Sequence, residues 1–329
     1  MKSTIQIFSE LGARLAEFGT DEVSRSVLAR AVADNEWFSV GDIRYAIEAL
    51  RSEMLDAEKI AQWLAHYPSI ASHEPHRVAI VMAGNIPLVG FFDLMCVIAS
   101  GNIPCVKPSS KDRILEEYIE QQLCEIEPML CIEKFAEGEV YDAVIATGGD
   151  SANLYFRTVF DGIPSLLRGS RHSVAVLSGE ESQSDMAALA DDIFRYGGLG
   201  CRNVSLLFVP RGYKVSLPAC NMCRAYHNNY LQCRALLTMH EAEFEDLGEA
   251  LLVPSKAEFP RYLSQINIVE YSSLSEVHRW LSANDEGLQC VVTHIEGLHS
   301  RAVKLGRAQL PTLFDYADER DTMQFLAQL

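Results

Sequence analysis

The sequence lacks any run of about 18 apolar residues, the length a membrane helix requires, and it is short of positive charge. Lys and Arg number 28 against 45 Asp and Glu, a formal net charge of −17 over 329 residues. A surface of that sign repels polyanions, which excludes general nucleic-acid binding and leaves any phosphate-bearing ligand to a local basic site. No G-x-G-x-x-G fingerprint and no Walker motif occurs. Internal repeats and low-complexity segments are absent too. The first 18 residues do not read as a secretory leader, because Glu10, Arg14 and Glu17 fall among the apolar positions. Nine cysteines, an odd count without a secretion signal, point to reduced thiols. These absences predict a cytoplasmic protein. Its 48% apolar and 22% charged residues form a soluble globular mixture, and its length suggests two domains.

The chain opens with helical periodicity. Ile5, Phe8, Leu11, Leu15 and Phe18 recur at three- and four-residue steps, as do Ile43, Ile47, Leu50 and Met54, and residues 60–64 continue the pattern. Trp37 and Trp63 are expected to pack this layer. After Pro68 the period changes. Residues 77–82 form a short β-type run ending at Ala83-Gly84-Asn85-Ile86-Pro87, and residues 88–99 predict a buried helix. Strands are expected at 103–106, 140–146 and 174–177, with a helix over 109–126 that carries Asp112, Glu116 and Glu117 near its positive end. Strands alternating with helices predict an α/β fold with a doubly wound, mostly parallel sheet. A second, smaller α/β domain follows. It has helices at 216–235 and 273–282, strands at 204–209, 266–270 and 288–292, and an acidic, solvated helix face at 241–249. The expected division is a nucleotide-binding domain with its helical layer over 1–196, a catalytic cysteine domain over 197–304, and a tail over 305–329 with turns around Pro311 and Asp315 before a short helix.

Chemistry concentrates in Gly197-Gly198-Leu199-Gly200-Cys201-Arg202-Asn203, where three glycines precede one cysteine and the apolar run 204–209 follows. Glycine admits positive φ and a close-approaching substrate, and the strand behind anchors the loop, so this thiol is presented where most free cysteines are packed. Cys220 and Cys223, with His227, Cys233 and His240 after them, raise a zinc site. The second half lacks paired spacing, and residues 220–237 read as a helix with cysteines on its apolar face, so no metal is expected. Three strand ends in the first half carry glycine turns or polar groups: Gly84-Asn85, Lys107-Pro108-Ser109-Ser110-Lys111 and Thr147-Gly148-Gly149. The carboxyl ends of parallel strands line one crevice, so all three are expected to meet one ligand. Lys107, with Ser109 and Ser110 opening a helix, suits a nucleotide phosphate or ribose.

Taken in order with Gly198-Leu199-Gly200-Cys201, these motifs resemble the aldehyde dehydrogenase superfamily. Residues 85–93 (NIPLVGFFD), 107–112 (KPSSKD), 169–176 (GSRHSVAV), 200–205 (GCRNVS) and 306–326 (GRAQLPTLFDYADERDTMQFL) resemble its acyl-CoA reductase branch, the kind of fatty acid reductase that feeds aldehyde to bacterial luciferase. The resemblance covers about residues 76–210 and the tail. It implies Cys201 as nucleophile, Asn85 as oxyanion donor beside the Cys201 backbone N–H, Lys107 at the adenosine ribose and Gly148-Gly149 under the pyrophosphate. Ser109, Ser110, Lys111 and Thr147 complete the cofactor set.

Two departures sharpen the expectation. Relatives that make free acids place a glutamate before Gly-Gly to activate water, whereas the matching positions read Leu167-Arg168-Gly169-Ser170. The acyl-cysteine is therefore expected to exchange with a thiol such as coenzyme A or to accept hydride. The glutamate that holds the nicotinamide ribose has Glu258 as its nearest match. NAD-preferring relatives also carry a glutamate three residues after the ribose lysine, where this chain has Ser110, so NADPH is expected, with NADH as the alternative. Arg168, Arg171 and Arg202 are candidates for the coenzyme A phosphates, against the reading that they only solubilise the surface, and His172 is read as a structural neighbour of the cofactor turn. The resulting expectation is reduction of an acyl-CoA, or of an acyl group on a carrier, to an aldehyde through an acyl-cysteine. The competing readings are a CoA-acylating aldehyde dehydrogenase acting on small aldehydes and a non-catalytic nucleotide-binding module. Residues 67–77 are too few for the superfamily's oligomerisation hairpin, so an oligomer is open but not carried over.

Overall fold

The protein is described by a computed structural model covering residues 2–68, 70, 74–220 and 222–329. Residues 69 and 71–73 of the 67–77 stretch, and Asn221 of the C-x-x-C spacing, lie outside the described residues. The chain divides into two compact units, residues 1–170 with 311–329, and residues 171–310. The division falls at Ser170/Arg171 and not after Tyr196, and most of the tail belongs to the first unit.

The first unit begins with four helices, α1 (Thr4–Leu15), α2 (Glu22–Asp34), α3 (Val40–Glu53) and α4 (Ala57–Leu64). Each starts where a short polar side chain can satisfy orphan amides: Ser3, Asp21, Ser39 and Asp56 all accept a backbone N–H from the first turn. Next come β1 (Arg77–Val81), α5 (Phe91–Ala99), β2 (Ile103–Lys107), α6 (Arg113–Ile126), β3 (Glu133–Lys134), β4 (Ala143–Thr147), α7 (Asp150–Val159) and β5 (Ser165–Arg168). The strands form one parallel sheet in the order β3-β2-β1-β4-β5. Alternation sorts their side chains. Val78, Ile80, Ile145 and Leu166 join the large core with Phe8, Trp63, Phe91 and Leu115, while Ala79, Val144 and Ala146 face Tyr141 and Phe160 on the other side.

Trp63 is fully buried and donates its indole N–H to Tyr316 Oη at 2.7 Å, and Tyr67 Oη donates to Asp321 at 2.6 Å. These bonds dock the tail on the helical layer. Trp37 is only half-buried.

The second unit, numbered on in chain order, holds β6 (His172–Val176), α8 (Gln183–Phe194), β7 (Val204–Pro210), α9 (Arg224–Met239), β8 (Glu245–Asp246), β9 (Leu251–Pro254), β10 (Gln265–Tyr271), α10 (Leu274–Ala283), β11 (Leu288–Thr293) and β12 (Ala302–Val303). The sheet order is β12-β11-β6-β7-β10-β9-β8, parallel except for β8 against β9. The last helix, α11 (Thr322–Leu326), lies in the tail. No helix among the described residues is long and apolar enough to cross a membrane.

Several expectations need correction. The strand expected at 174–177 is β6, which lies between β11 and β7 in the second sheet, while the first sheet's place is taken by β5. The helix expected from residue 88 begins at Phe91, because Leu88 takes φ 56°. The helix expected from residue 109 begins at Arg113, and the one expected from 216 at Arg224. Cys220 and Cys223 therefore precede α9, and only Cys233 is buried on it. The acidic run 241–249 is not helical. Glu241 and Gly248 have positive φ, and Glu245–Asp246 pair in an antiparallel edge.

Candidate active site

The first unit supplies a ligand edge. The order β2-β1-β4 reverses direction at β1, and ligands of such sheets bind outside the carboxyl ends of the strands at that switch point. The register aligns Val81 with Lys107 on one side and with Ala146 on the other. The segments that follow, Gly84-Asn85, Ser109–Lys111 and Gly148-Gly149, thus leave adjacent strands at one level. A Cβ on Gly84 would lie 2.4 Å from Ser109 Oγ, so the first loop rides directly on the second. A Cβ on Gly148 would lie 2.9 Å from Ala152 Cβ in the first turn of α7, whose N-cap, Gly149, offers no side-chain hydrogen bond. Lys107 is exposed at the end of β2, its Nζ 5.2 Å from the Phe135 ring centroid. Ser109 Oγ accepts the Lys111 N–H at 3.3 Å. Ser110 and Lys111 are exposed, and Ser110 does not cap α6.

Asp112 and Glu116, expected near the positive end of α6, are both buried. Asp112 Oδ2 accepts the Leu88 N–H at 2.6 Å, which holds the turn after half-buried Asn85 in its left-handed conformation. Burial pushes the Asp112 carboxyl up to about 8 against the opposing pull of that hydrogen bond. Glu116 is raised well above the carboxylate range, chiefly by burial and then by Asp112 and Glu120, and Glu120 is raised to about 7, chiefly by burial.

The second unit supplies the thiol. After α8 the backbone passes through Tyr196, Gly197 and Gly198 at φ 58°, 63° and 70°. Only Tyr196 meets a Cβ penalty there, about 1–2 kcal/mol, and its side chain is buried. A turn closed by the Asn203 N–H to the Gly200 carbonyl, 3.0 Å, puts Cys201 and Arg202 at its tip, where Cys201 is exposed. Ser173 Oγ donates to the Cys201 carbonyl at 2.8 Å and lies 3.1 Å from Cys290 Sγ. Asn203 Oδ1 accepts the Gly200 N–H at 2.8 Å, and its Nδ2 lies 3.2, 3.1 and 2.9 Å from the carbonyl oxygens of Asp192, Ile193 and Arg195. Cys124 and Cys131 are exposed as well; Cys124 lies near the end of α6, and Cys131 lies 4.0 Å from Glu133.

The arginines do not behave alike. Arg168 is buried, places Nη1 2.6 and 2.7 Å from the two Asp93 carboxylate oxygens, and donates from Nη2 to Thr322 Oγ1 at 2.7 Å. It is a structural ion pair and is withdrawn as a phosphate contact. Arg171 donates to the Leu288 carbonyl at 3.0 Å, and Arg202 Nε donates to the Ala308 carbonyl. His172 stacks on Phe259 with ring centroids 4.2 Å apart. Phe259 belongs to the segment that also brings Leu263 against Gly198 and exposes Glu258, so the Glu258 segment runs beside the cysteine loop. Asn203 and Ser173 are the residues that sequence reasoning missed. An Asn closing a glycine-rich turn was the available signal.

The chain matches the family described as Acyl-CoA reductase (LuxC) over residues 44–218, more than half its length. No curated protein matches it. Among solved structures it resembles aldehyde dehydrogenase 21 from Physcomitrella patens, solved in complex with the reaction product succinate, at TM-score 0.69 and 11% identity, covering 99% of this chain and 83% of that one. It also resembles a mutant of the propionaldehyde dehydrogenase from Clostridium phytofermentans at TM-score 0.59 and 11% identity, covering 89% and 78%. A third likeness is to a mutant of aldehyde dehydrogenase C from Pseudomonas syringae, complexed with NAD+ and octanal, at TM-score 0.59 and 12% identity, covering 90% and 72%. Identities this low speak to the fold alone, which is that of the aldehyde dehydrogenases. With the family match over the motif-bearing region, the chain belongs to the acyl-CoA reductase (LuxC) family and is an oxidoreductase that reduces an acyl-CoA to an aldehyde with a nicotinamide cofactor.

Proposed function

We propose that the reaction runs through an acyl-cysteine on Cys201. The observation that carries this reading is the presentation of that thiol at the tip of a turn whose backbone is hydrogen-bonded on both flanks. Cys201 Sγ attacks the thioester carbonyl as thiolate. A carbon–sulfur bond to the enzyme forms, the bond to coenzyme A breaks, and the departing thiolate takes up a proton. Asn85 is assigned as the amide donor to the oxyanion of that step, where one placed donor contributes about 3 to 4 kcal/mol. The nicotinamide cofactor supplies hydride when bound. Addition at the acyl carbon gives a Cys201 thiohemiacetal, whose collapse frees aldehyde and restores the thiol.

The residues of the first unit fit a dinucleotide. Exposed Lys107, Ser110 and Lys111 offer two cations and a hydroxyl at the switch point of an otherwise acidic chain, and the start of α7 has no side-chain cap. Ser109 and Thr147 border the same edge, and Gly148 and Gly149 let a phosphate approach. NADPH is the preferred form in this reading, because no acid at position 110 repels a 2′-phosphate. The positions that match the glutamate segment of acid-forming relatives read Leu167-Arg168-Gly169-Ser170, with no carboxylate, and Arg168 there is buried and paired with Asp93. That arrangement supports transfer to hydride or thiol over hydrolysis.

The test is product analysis with acyl-CoAs of graded chain length and NADPH. Aldehyde and free coenzyme A in equal amounts are expected. Free acid as the main product, or turnover confined to small aldehydes with coenzyme A and the oxidised cofactor, would overturn the reading.

A further inference from the structure

We propose that Asn203 is the positioning residue of the cysteine loop: a single buried amide ties the end of α8 to the turn that carries Cys201, and so sets where the thiol stands. The proposal rests on Cys201 being the nucleophile, but its geometry is independent of that assignment. A helix ends with carbonyls that have no intrahelical partner. Here the carbonyls of Asp192, Ile193 and Arg195 converge on Asn203 Nδ2 at 3.2, 3.1 and 2.9 Å, while Oδ1 of the same side chain accepts the Gly200 N–H at 2.8 Å. The residue is 5% exposed. Its donor and acceptor ends thus span the three left-handed residues 196–198, the segment with the least backbone preference of its own.

Two further contacts make the clamp directional. Ser173 Oγ holds the Cys201 carbonyl at 2.8 Å from the neighbouring strand β6. The Asp192 carboxylate accepts the N–H groups of Gly306 and Ala308 at 2.6 and 2.9 Å, and the Ala308 carbonyl accepts Arg202 Nε. The residue that follows the thiol and the helix end behind it are therefore fastened to one segment, 306–308. Asn203 closes the remaining side. Without its amide, the Gly200 N–H and the α8 carbonyls each lose a partner, and the turn is free to shift while β7 and α8 keep their packing.

The experiment compares wild type with Asn203→Ala and Asn203→Asp. The aspartate keeps an acceptor for Gly200 but loses the donors to α8, and it is nearly isosteric if the alanine variant fails to fold. Two readings are taken on folded protein. One is kcat and KM for aldehyde formation. The other is the iodoacetamide labelling rate of Cys201 relative to exposed Cys124 and Cys131 in the same sample, an internal control that a general loss of stability would not bias toward Cys201. Displacement of a reacting group by about 1 Å can cost about 100-fold in rate. A kcat lowered by about that factor with KM nearly unchanged, together with a Cys201 labelling ratio altered by about tenfold or more, supports the proposal. A folded Asn203→Asp with both readings within about twofold of wild type overturns it. If Cys201→Ala still makes aldehyde, the catalytic reading falls, while the labelling ratio still decides what Asn203 does to the loop.

Discussion

Asn85 and Cys201 both sit beside turns that hold a non-glycine residue in the left-handed region, Leu88 at φ 56° and Tyr196 at φ 58°. The turns are braced by different chemistry. Leu88 donates its N–H to a buried carboxyl, Asp112, which raises the neighbouring Glu116, as Glu120 does in turn. The cysteine turn is braced by an amide and a hydroxyl, Asn203 and Ser173, that do not titrate. A carboxyl with its proton and a carboxamide present similar shapes, but only the first answers to pH. In the proposed mechanism the Asn85 turn is braced directly by a titrating carboxyl, whereas the Cys201 turn meets one, the Asp192 carboxyl, only through segment 306–308.

The sharpest way to break the comparison is to remove the thiol. Cys201→Ala should abolish aldehyde formation while the melting temperature stays close to wild type, since the side chain is exposed. Residual turnover above a thousandth of wild type would move the nucleophile elsewhere. Next in size, Asn85→Ala should lower kcat by about two to three orders of magnitude and leave nucleotide affinity nearly intact. A variant that lost only cofactor binding would assign Asn85 to the nucleotide.

Smaller again is the cofactor preference. Hydrogen bonds to a charged group are worth about 1.5 to 3 kcal/mol, so wild type should bind NADPH about ten- to a hundredfold more tightly than NADH, and Ser110→Glu should remove that margin. Equal dissociation constants in the wild type would contradict it.

The smallest effect tests the brace itself. A carboxyl at about 3.9 in the unfolded chain and about 8 in the fold binds its proton more tightly when folded. Stability is fully present below the unfolded value and declines as pH rises through the folded one. Asp112→Asn keeps an acceptor for Leu88 and removes this ionisation. Denaturant midpoints between pH 5 and 9 should therefore fall less steeply in the variant, the rest of the slope belonging to Glu116, Glu120 and Asp192, the last raised to about 7 chiefly by burial. Parallel curves would mean that Asp112 is ionised throughout that range.

The central strands and the glycine and Lys-Pro-Ser turns at their ends were legible because their signals are local. Short apolar β-type runs marked β1 and β2, and glycine or Lys-Pro-Ser segments marked where they end. What was not legible depends on partners far along the chain. The edge strands β3 and β5 have two and four residues, too few for a period to register. The strand β6 is buried on both faces, so its side chains carry no sign of which sheet it joins. The sequence placed Asp112 and Glu116 at a helix start but carried no sign that Leu88 and the core close over them. Asn203 makes its bonds to carbonyls 8 to 11 positions back, a relation that exists only once residues 196–198 turn left-handed.

The most direct measurement of the central claim is intact-protein mass spectrometry after incubation with acyl-CoAs in the absence of reductant. One acyl mass per chain is predicted, located at Cys201 by peptide mapping, lost in Cys201→Ala and discharged when NADPH is added. An adduct that persists in Cys201→Ala, or that maps to another cysteine such as Cys124 or Cys131, would contradict the account.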